Sequence, residues 1–445
     1  MIQREATEAE LKNLAEELLN KAKAKGASAA ALNIQKGEGL SAEVRMGDVE
    51  TLEYHRDQSL SITVYFGQRK GSSSTADLSV SAINDSLDAA CRIARYTSED
   101  KFSGLADAAL MAGETPDLDL YHPWDIDAET AIQLAIRTES AALNADSRIN
   151  NSDGASLNSY AGLGVYANSH GFIKSQSGSQ HYINCAVIAQ KDALMERDGW
   201  YDVSRVSSQL DSPEKIGKVA AEQVLKRLDA RKIATCEASV LYDPRMARSL
   251  ISHFSSAISG AAQYRKASFL LNSLDKAFFP EFIHLYEKPY IPQALNSAAY
   301  DREGVATREQ DFIQAGRISN YLLSSYSARK LGMQTTANAG GAHNLCLAST
   351  GQSFSELLTL MDTGFLVTEL MGSSVNGVTG DYSRGAAGFW VEKGEIQYAV
   401  KEVTIAANLK DMYKNIVAVG NDIDIKSGTR TGSILIEKMT IAGSA

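Results

Sequence analysis

The feature that most constrains this chain is the glycine density of its C-terminal third. Residues 340–394 hold ten of the 33 glycines found in 445 residues, which predicts a tightly turning β domain and not a helical one. Apolar and polar side chains alternate in 389–391 and again in 396–400, on either side of Lys393-Gly394. That pattern predicts a β-hairpin with Lys393-Gly394 as its turn.

Length and composition limit the class of protein. A chain of 445 residues exceeds the ~250–300 at which one hydrophobic core stops growing, so two or three domains are expected. No apolar run approaches the ~20 residues that span a bilayer, and the N-terminus lacks the pattern of a signal peptide. The scattered cysteines, with no C-x-x-C pair, favour free buried thiols and a cytoplasmic location. These cysteines are Cys91, Cys185, Cys236 and Cys346.

The charge balance argues against direct binding of nucleic acid. The formal net charge is −10, whereas a duplex-binding protein is expected to carry a basic patch. The most basic short stretch, Lys226–Lys232, lies at the end of a predicted helix. A solvated helix terminus explains that stretch without a nucleic-acid partner.

The N-terminal half repeats one order of elements. Amphipathic helices are predicted at about 7–25 and 79–97, with three strand-like runs between them. The same order recurs with helices at about 127–145 and 212–230. The strand-like runs are Ala31–Lys36, Ser41–Arg56 and Ser59–Arg69 in the first unit, and Asn150–Asn158, Gly162–Ser169 and Gln180–Lys191 in the second.

These patterns predict an α+β fold. The N-terminal half is expected to be a duplicated α-β-β-β-α arrangement with antiparallel sheets, followed by a β-rich C-terminal domain with one long helix. The predicted domains are residues 1–112 and 127–232, joined by a polar, proline-broken linker at 113–126, and residues 233–445.

The long helix of the C-terminal half begins at Asp243-Pro244, an N-cap followed by proline at the first helical position. Its apolar residues recur at helical spacing on one face, and serines occupy the opposite face. His253 lies at the boundary between these faces, where a histidine is more often a hydrogen-bonded side chain than a metal ligand. The apolar stripe is Ala247, Leu250, Ile251, Phe254, Ala257, Ile258 and Ala261.

Other metal-binding patterns are fragments. His343 and Cys346 have an H-x-x-C spacing, and Glu281 and His284 have an E-x-x-H spacing. Neither fragment is followed by a second pair at the spacing of a metal site. Because two-ligand fragments arise often by chance, we interpret these four residues as loop or core residues.

The sequence lacks the motifs of several other classes of enzyme. The sequence has no G-x-S-x-G, no G-x-x-x-x-G-K-[ST] and no H-E-x-x-H. Glu369 and Asp381 are carboxylates of the glycine-rich region, but general acid–base catalysis would need a partner that the sequence does not reveal. We interpret both as strand-end or turn residues.

Four strings resemble a known family. They are Gly380–Tyr398, Leu366-Val-Thr-Glu-Leu-Met-Gly372, Tyr326-Ser-Ala-Arg-Lys-Leu-Gly332 and Met439-Thr-Ile-Ala-Gly443. Together they resemble the PmbA (TldE) branch of the TldD/PmbA proteins, a family labelled "modulator of DNA gyrase" and classed with metallopeptidases. The resemblance extends over essentially the whole chain and is densest from about Leu241 onward.

The resemblance implies a metal helix that this chain has lost. In the TldD branch the corresponding helix reads H-E-x-x-x-H, with histidines that bind zinc and a glutamate that activates water. Here that register reads His253, Phe254 and Ile258 at the positions of first ligand, base and second ligand. Phe254 and Ile258 belong to the apolar stripe, so we expect them to be buried. The expected cofactor content is none in this chain and zinc in a TldD-like partner.

The resemblance also implies a function. PmbA-like chains pair with TldD-like chains, and the heterodimer degrades or trims peptides within an enclosed cleft. This chain would then be the subunit that supplies substrate binding and assembly. Self-association of the isolated chain into a homodimer remains an open alternative. The alternatives are a non-enzymatic binding protein that modulates a toxin, antitoxin or topoisomerase partner, and an independent peptidase with a metal site that the sequence does not reveal.

The glycine-rich strand before the hairpin is the candidate peptide site. Its small side chains predict an open strand edge, to which an extended peptide can add through main-chain hydrogen bonds. Trp390 would flank the peptide. The alternative is that this strand is paired within its own sheet. The candidate peptide-binding residues are Tyr382, Arg384, Gly385, Ala386, Ala387 and Gly388.

Overall fold

The computed structural model describes residues 4–443 and confirms the α+β prediction. Within that part of the chain, no helix is long and apolar enough to cross a membrane. The N-terminal half repeats the order helix, three strands, helix, as expected. Its elements are α1 (Arg4–Ala24), β1 (Ala29–Arg45), β2 (Asp48–Phe66), β3 (Arg69–Thr75), α2 (Val80–Tyr96), α3 (Ala128–Leu143), β4 (Ile149–Asn168), β5 (Phe172–Lys191), β6 (Leu194–Ser204) and α4 (Pro213–Arg227).

The two repeats share one antiparallel sheet. Its strand order is β3-β2-β1-β4-β5-β6, so β1 of the first repeat pairs directly with β4 of the second, in register from Ala31–Asn168 to Val44–Ala155. Helices α1 and α2 cover one half of a face of this sheet, and α3 and α4 cover the other half. The pairing of β1 with β4 therefore joins the two repeats into a single sheet. The periodicity of the sequence does not predict such long-range pairing.

Several strand boundaries were predicted wrongly. The expected break between Lys36 and Ser41 does not exist, because β1 runs unbroken through Gly37 and Gly39. Its buried residues keep the same parity on both sides of that stretch, so one strand contributes to both helix-covered cores. Likewise β4 runs unbroken through 159–161, and the predicted strand Ser41–Arg56 crosses the turn between β1 and β2. The whole of β6 and all of β3 beyond Arg69 were missed.

The C-terminal half has a mixed sheet of six strands and a smaller five-stranded sheet. The long helix expected at Asp243-Pro244 is α5. The elements are β7 (Cys236–Tyr242), α5 (Pro244–Ala257), α6 (Gly260–Tyr264), β8 (Leu285–Glu287), β9 (Gln310–Gln314), β10 (Arg317–Ile318), α7 (Ser325–Leu331), β11 (Leu345–Leu347), α8 (Phe354–Met361), β12 (Gly364–Met371), β13 (Asp381–Glu392), β14 (Glu395–Asn408), α9 (Leu409–Lys414), β15 (Ile416–Val419), β16 (Thr429–Arg430) and β17 (Ile434–Ala442).

The larger C-terminal sheet has the order β14-β13-β12-β7-β17-β15, and β14 also pairs with β17 over Thr404–Ala406. Five of the strands therefore close into a ring. The predicted hairpin joins β13 to β14, and Lys393 and Gly394 have φ of 54° and 75°. Positive φ at both central residues matches the right-handed twist of the flanking strands.

The predicted open strand edge at Gly385–Gly388 is wrong. On one side these residues pair with β12, where Gly385 lies opposite Met371 and Gly388 opposite Val367. On the other side they pair with β14, where Gly385 lies opposite Thr404. The small residues therefore mark an interior strand with close neighbours, which leaves no unpaired main chain for a peptide to join.

The two glycines of this strand should differ in their tolerance of a side chain. A Cβ at Gly388 would overlap the main-chain oxygen of Leu366, whereas a Cβ at Gly385 would lie 3.2 Å from the Cβ of Met371. We expect Gly388→Ala to lower the free energy of unfolding by roughly 3 kcal/mol and Gly385→Ala by less than about 1 kcal/mol.

Urea denaturation of both variants measures this difference. Gly377→Ala is a matched control, because no atom lies within 4 Å of a Cβ built there. Equal midpoints for the Gly388 and Gly385 variants would contradict the interior pairing of β13.

Candidate functional site

Helix α5, which carries the candidate residue His253, begins at a capped N-terminus. The side chain of Asp243 accepts a hydrogen bond from the main-chain N of Met246 at 2.8 Å, and Pro244 occupies the first turn. The apolar stripe of α5 packs into the largest hydrophobic core, together with strands of the ring. The opposite, serine-rich face has no part in that core, so the sequence of α5 determines its orientation.

The residues at the expected base and second-ligand positions lie in the core. Phe254 is 0% exposed and Ile258 is 1% exposed. The Phe254 ring meets the rings of Phe279 and Tyr413 edge-on, with centroids 5.4 and 6.2 Å away. The prediction that both residues are buried is confirmed.

His253 lies at the edge of this core, as expected for a boundary residue. Its ring meets the ring of Tyr382 edge-on at 6.0 Å between centroids. Its Nε2 is shielded from solvent and has no hydrogen-bond partner among the described residues. Burial lowers the pKa of His253 below its ordinary value, and the nearby charge of Arg384 lowers it further. The expected hydrogen bond of a boundary histidine is therefore missing at this nitrogen.

Three of the predicted peptide-binding residues lie on the side of β13 that faces α5. Tyr382, Arg384 and Ala386 occupy alternate positions, and Tyr382 and Ala386 belong to the same core as the α5 stripe. The Tyr242 hydroxyl donates a hydrogen bond of 3.4 Å to the Tyr382 hydroxyl. The structure thus brings Tyr382 together with His253, and the charge of Arg384 acts on the same histidine. Gly385, Ala387 and Gly388 do not form a free surface.

Arg384 has an unusual environment for a cation. Its side chain is half-buried, and its Nε is shielded from solvent without a partner. Within residues 4–443, no carboxylate forms an ion pair with this guanidinium. The charge acts on His253, Tyr382 and Tyr242, lowering the pKa of each, although burial raises the pKa of both tyrosines overall.

Comparison with known proteins identifies the family. Residues 30–94 match the PmbA/TldA metallopeptidase domain 1, residues 121–228 its central domain, and residues 235–443 its C-terminal domain. The metalloprotease PmbA of Escherichia coli O157:H7 is 48% identical over 92% of this chain and 91% of its own length. The chain belongs to the PmbA/TldD metallopeptidase family.

Other relatives agree. The metalloprotease PmbA homolog of Haemophilus influenzae is 47% identical over 94% of this chain and 93% of its own length. A crystal structure from Bacteroides thetaiotaomicron, whose name carries the words "modulator of DNA gyrase", is 27% identical with a TM-score of 0.92, covering 98% of this chain and 99% of its own. TldE from Thermococcus kodakarensis, 20% identical with a TM-score of 0.85 over 96% and 99%, shares the fold.

A metallopeptidase name implies a metal, and the α5 residues of this chain do not fit one. The phenyl ring of Phe254 and the alkyl group of Ile258 have no lone pair to donate, and both are buried. The charge of Arg384, which lowers the pKa of His253, also disfavours a metal cation at that histidine. Across residues 4–443, no three His, Cys, Asp or Glu side chains lie close enough together to share a metal ion.

The two metal-binding fragments have structural partners instead. His343 Nδ1 lies 3.0 Å from the buried carboxylate of Glu287, and His284 Nε2 lies 2.7 Å from Asp311. Cys346 Sγ is 3.4 Å from the main-chain oxygen of Asn344. Their interpretation as loop or core residues agrees with these contacts.

The two carboxylates of the glycine-rich region are not an acid–base pair. Glu369 forms an ion pair with Arg227, which also contacts Asp198 at 3.3 Å. Asp381 is exposed and accepts a hydrogen bond from the Thr379 hydroxyl at 2.6 Å. Each carboxylate therefore has a local structural role.

Sequence reasoning missed two cavities between the N-terminal sheet and the C-terminal half. One, of about 640 Å³, is mainly apolar and is lined by Trp200, Phe389 and Tyr398 among others. The other, of about 800 Å³, is polar and includes Arg205 and Arg302. Both cavities form between elements that are distant in sequence, so periodicity could not predict them. The aromatic residues of the hairpin were the one sequence signal for the apolar cavity.

Substitutions at two neighbouring positions of α5 should differ in their effect on stability, because one lies at the edge of the core and the other within it. We expect His253→Ala to change the free energy of unfolding by no more than about 1 kcal/mol, because Nε2 makes no bond that would be lost. Phe254→Ala should cost about 3–5 kcal/mol, because it opens a cavity in the core.

Thermal and urea unfolding of both variants provides the measurement, and Ser252→Ala on the exposed face of α5 is the control. A His253 variant as unstable as the Phe254 variant would mean that the histidine is a core residue.

Proposed function

We propose that this chain is the metal-free, substrate-binding subunit of a TldD/TldE-type peptidase complex. Its partner would be a TldD-like chain that holds zinc and performs the hydrolysis. The two chains together would enclose the cleft in which peptides are degraded or trimmed. The observation that carries this proposal is the burial of Phe254 and Ile258 where the resemblance places a base and a ligand.

A catalytic metal site and the observed core place incompatible requirements on the same positions of the chain. A zinc ligand and a general base must point into an accessible site, whereas the corresponding side chains here pack against Phe279 and other core residues. Restoring His or Glu at these positions would bury polar groups without partners, which the fold would resist. A subunit without a metal site would contribute to catalysis by binding the substrate and by assembling the complex.

The cavities support a role in binding. A mainly apolar cavity with a few charged groups at its rim is the usual form of a ligand site. Here Arg245 and Lys426 lie over the Trp200 ring, at 5.0 and 5.7 Å from its centre. The exposed Ile396 of the hairpin and the half-buried Tyr398 line the same space. Apolar side chains of a peptide would find favourable contacts there.

The expected compartment is the cytoplasm, and the four cysteines support it. All four are free, and Cys91, Cys185 and Cys346 are buried. Free thiols are the usual state in a reducing compartment.

The alternative is a non-enzymatic protein that modulates a toxin, antitoxin or topoisomerase partner. The names of structural relatives carry the words "modulator of DNA gyrase", which keeps this candidate open for protein partners. Contact with DNA itself is disfavoured by the ion pairs of the most basic stretch. Within it, Arg227 pairs with Glu369 and Lys232 lies 2.7 Å from Glu402.

Peptide hydrolysis should require both chains. We expect the isolated chain to cleave no unstructured peptide, and an equimolar mixture with a TldD-like chain to cleave it at a rate far above either chain alone. Mass spectrometry of the peptide products measures cleavage, and light scattering of the same mixture reports complex formation.

The matched control is a TldD-like partner in which the glutamate of its H-E-x-x-x-H helix is replaced by glutamine. That mixture should assemble and remain inactive. Cleavage by the isolated chain, or by the control mixture, would contradict the assignment of chemistry to the partner. Assembly without cleavage by the intact mixture would favour the non-enzymatic alternative.

The purified chain should hold no stoichiometric zinc. The donor set at α5 is a single histidine, and isolated imidazole ligands bind zinc too weakly to survive dialysis. Elemental analysis after dialysis should find zinc well below one equivalent, with the TldD-like partner as the positive control. Zinc near one equivalent, retained in the His253→Ala variant as well, would reveal a metal site elsewhere in this chain.

A further inference from the structure

Helix α8 covers only part of one face of the larger C-terminal sheet. The face that points away from α5 carries Leu366, Phe389 and Ala399, which are direct neighbours across β12, β13 and β14. These three residues share a core with α8, and they also line the apolar cavity of about 640 Å³. The cavity is therefore a gap in the cover of an apolar sheet face.

The cavity is accessible and has aromatic walls. At its mouth, Ile396 is 46% exposed, and Lys226 and Gln397 are also exposed, so the cavity opens to solvent. Because an apolar concave surface is stabilised when a ligand removes it from water, this cavity favours an apolar ligand. The aromatic rings that line it are those of Trp200, Tyr201, Phe354, Phe389 and Tyr398.

The charges of the cavity balance and are largely paired within the protein. Arg245 lies 3.2 Å from Asp243, and Lys426 lies 2.8 Å from Asp202. A charged ligand would lose its hydration without gaining a free counter-ion, so an uncharged ligand is favoured. The charged lining residues are three acidic and three basic, namely Asp243, Asp422, Asp424, Lys226, Arg245 and Lys426.

Cations of the protein already occupy positions over two of the rings. Besides Arg245 and Lys426 over Trp200, the guanidinium carbon of Arg231 lies 4.6 Å from the centre of the Tyr398 ring. A basic side chain would therefore add like charge to rings that are already paired with cations. An uncharged aromatic ring can instead pack edge-on or offset against the walls.

The size of the cavity selects a short extended segment. A volume of about 640 Å³ is typical of a small-ligand site, whereas a helix with its side chains is about 10–12 Å across and too wide to enter. Gln223 of α4 and Thr368 also line the cavity, half-buried, and within residues 4–443 neither side chain has a hydrogen-bond partner. Thr368 lies at a bulge, where β12 skips a pairing with β13. An amide and a hydroxyl can each donate to and accept from a peptide group.

We propose that this cavity binds an uncharged aromatic side chain of the peptide, and that Gln223 and Thr368 bind the adjoining peptide group. The identity of the ligand as a peptide substrate rests on the proposed function. The preference for an uncharged ring rests on the walls, charges and size of the cavity alone.

Calorimetric titration of the full-length chain tests this site. The probes are pentapeptides Ala-Ala-X-Ala-Ala with acetyl and amide caps, in which X is Phe, Ala, Lys or Glu, titrated into the millimolar range. The Phe peptide should bind about ten-fold or more tightly than the Ala peptide, because it buries an aromatic ring. The Lys and Glu peptides should bind no more tightly than the Ala peptide.

Variants at the mouth and the bulge locate the binding. Ile396→Glu should remove the preference for Phe, because it places a charge at the opening of the cavity. Ile93→Glu is the matched control, since Ile93 is 45% exposed on α2 and lines no cavity described in this structure. Thr368→Val removes only the hydroxyl and should weaken the Phe peptide a few-fold. Thermal unfolding verifies that each variant is folded, and Ile396→Gln serves as a second, uncharged variant at the mouth.

Several results would overturn the proposal. Equal affinity for the Phe and Ala peptides, no binding of either, or tighter binding of the Lys or Glu peptide would each contradict it. So would a preference for Phe that survives both Ile396 variants, or one that Ile93→Glu also removes. Unchanged affinity in Thr368→Val would refute the assigned contact with the peptide group. Displacement of the Phe peptide by the inactive TldD-like partner would assign the cavity to the subunit interface.

Cleavage by the mixed complex distinguishes this proposal from the proposed function. A complex that cleaves the Phe and Ala peptides equally would support the proposed function and refute the cavity as a substrate site. An isolated chain that prefers the Phe peptide, beside a complex that cleaves neither, would support the cavity and refute the proposed function.

Discussion

Burial of one face of α5 against the ring of strands is the constraint on which the C-terminal half depends. The stripe residues Leu250, Phe254 and Ile258 are at most 1% exposed and join one core with strands β7, β12, β13 and β17. This packing orients the helix, and it thereby determines which side chains can reach solvent. Metal chemistry at α5 and the observed core are mutually exclusive, because the same two positions would have to face opposite environments.

The buried carboxylates of this protein are held by hydrogen bonds from main-chain and side-chain donors. Glu139 accepts two main-chain N–H bonds of 2.8 Å from the β1–β2 turn, and Glu287 accepts bonds from Asn338 and Gln310 at 2.9 and 2.7 Å. Burial raises the pKa of Asp301 to about 6, yet three main-chain N–H groups donate to its carboxylate. Among the described residues, four buried side-chain atoms depart from this pattern, namely His253 Nε2, Ser273 Oγ, Ser325 Oγ and Arg384 Nε.

The N-terminal half contacts the C-terminal half through its shared sheet. Its shared sheet presents one face to four helices and contributes part of the other to the cavities against the C-terminal half. Arg205 fastens this contact by donating to the main-chain oxygens of Ala294 and Leu295, the first at 3.0 Å. These bonds join the N-terminal sheet to the C-terminal half.

The sequence by itself determined the local elements and the identity of the family. Periodicity predicted α5 and its buried Phe254, the hairpin turn at Lys393-Gly394, and the duplicated order of helices and strands, because each depends on residues close together in the chain. Tertiary structure alone decided whether Gly385–Gly388 was an edge or an interior strand, since its neighbours β12 and β14 are brought there by long-range pairing. It also decided that the ring of His253 meets the ring of Tyr382, because these residues lie far apart in the chain on two different elements.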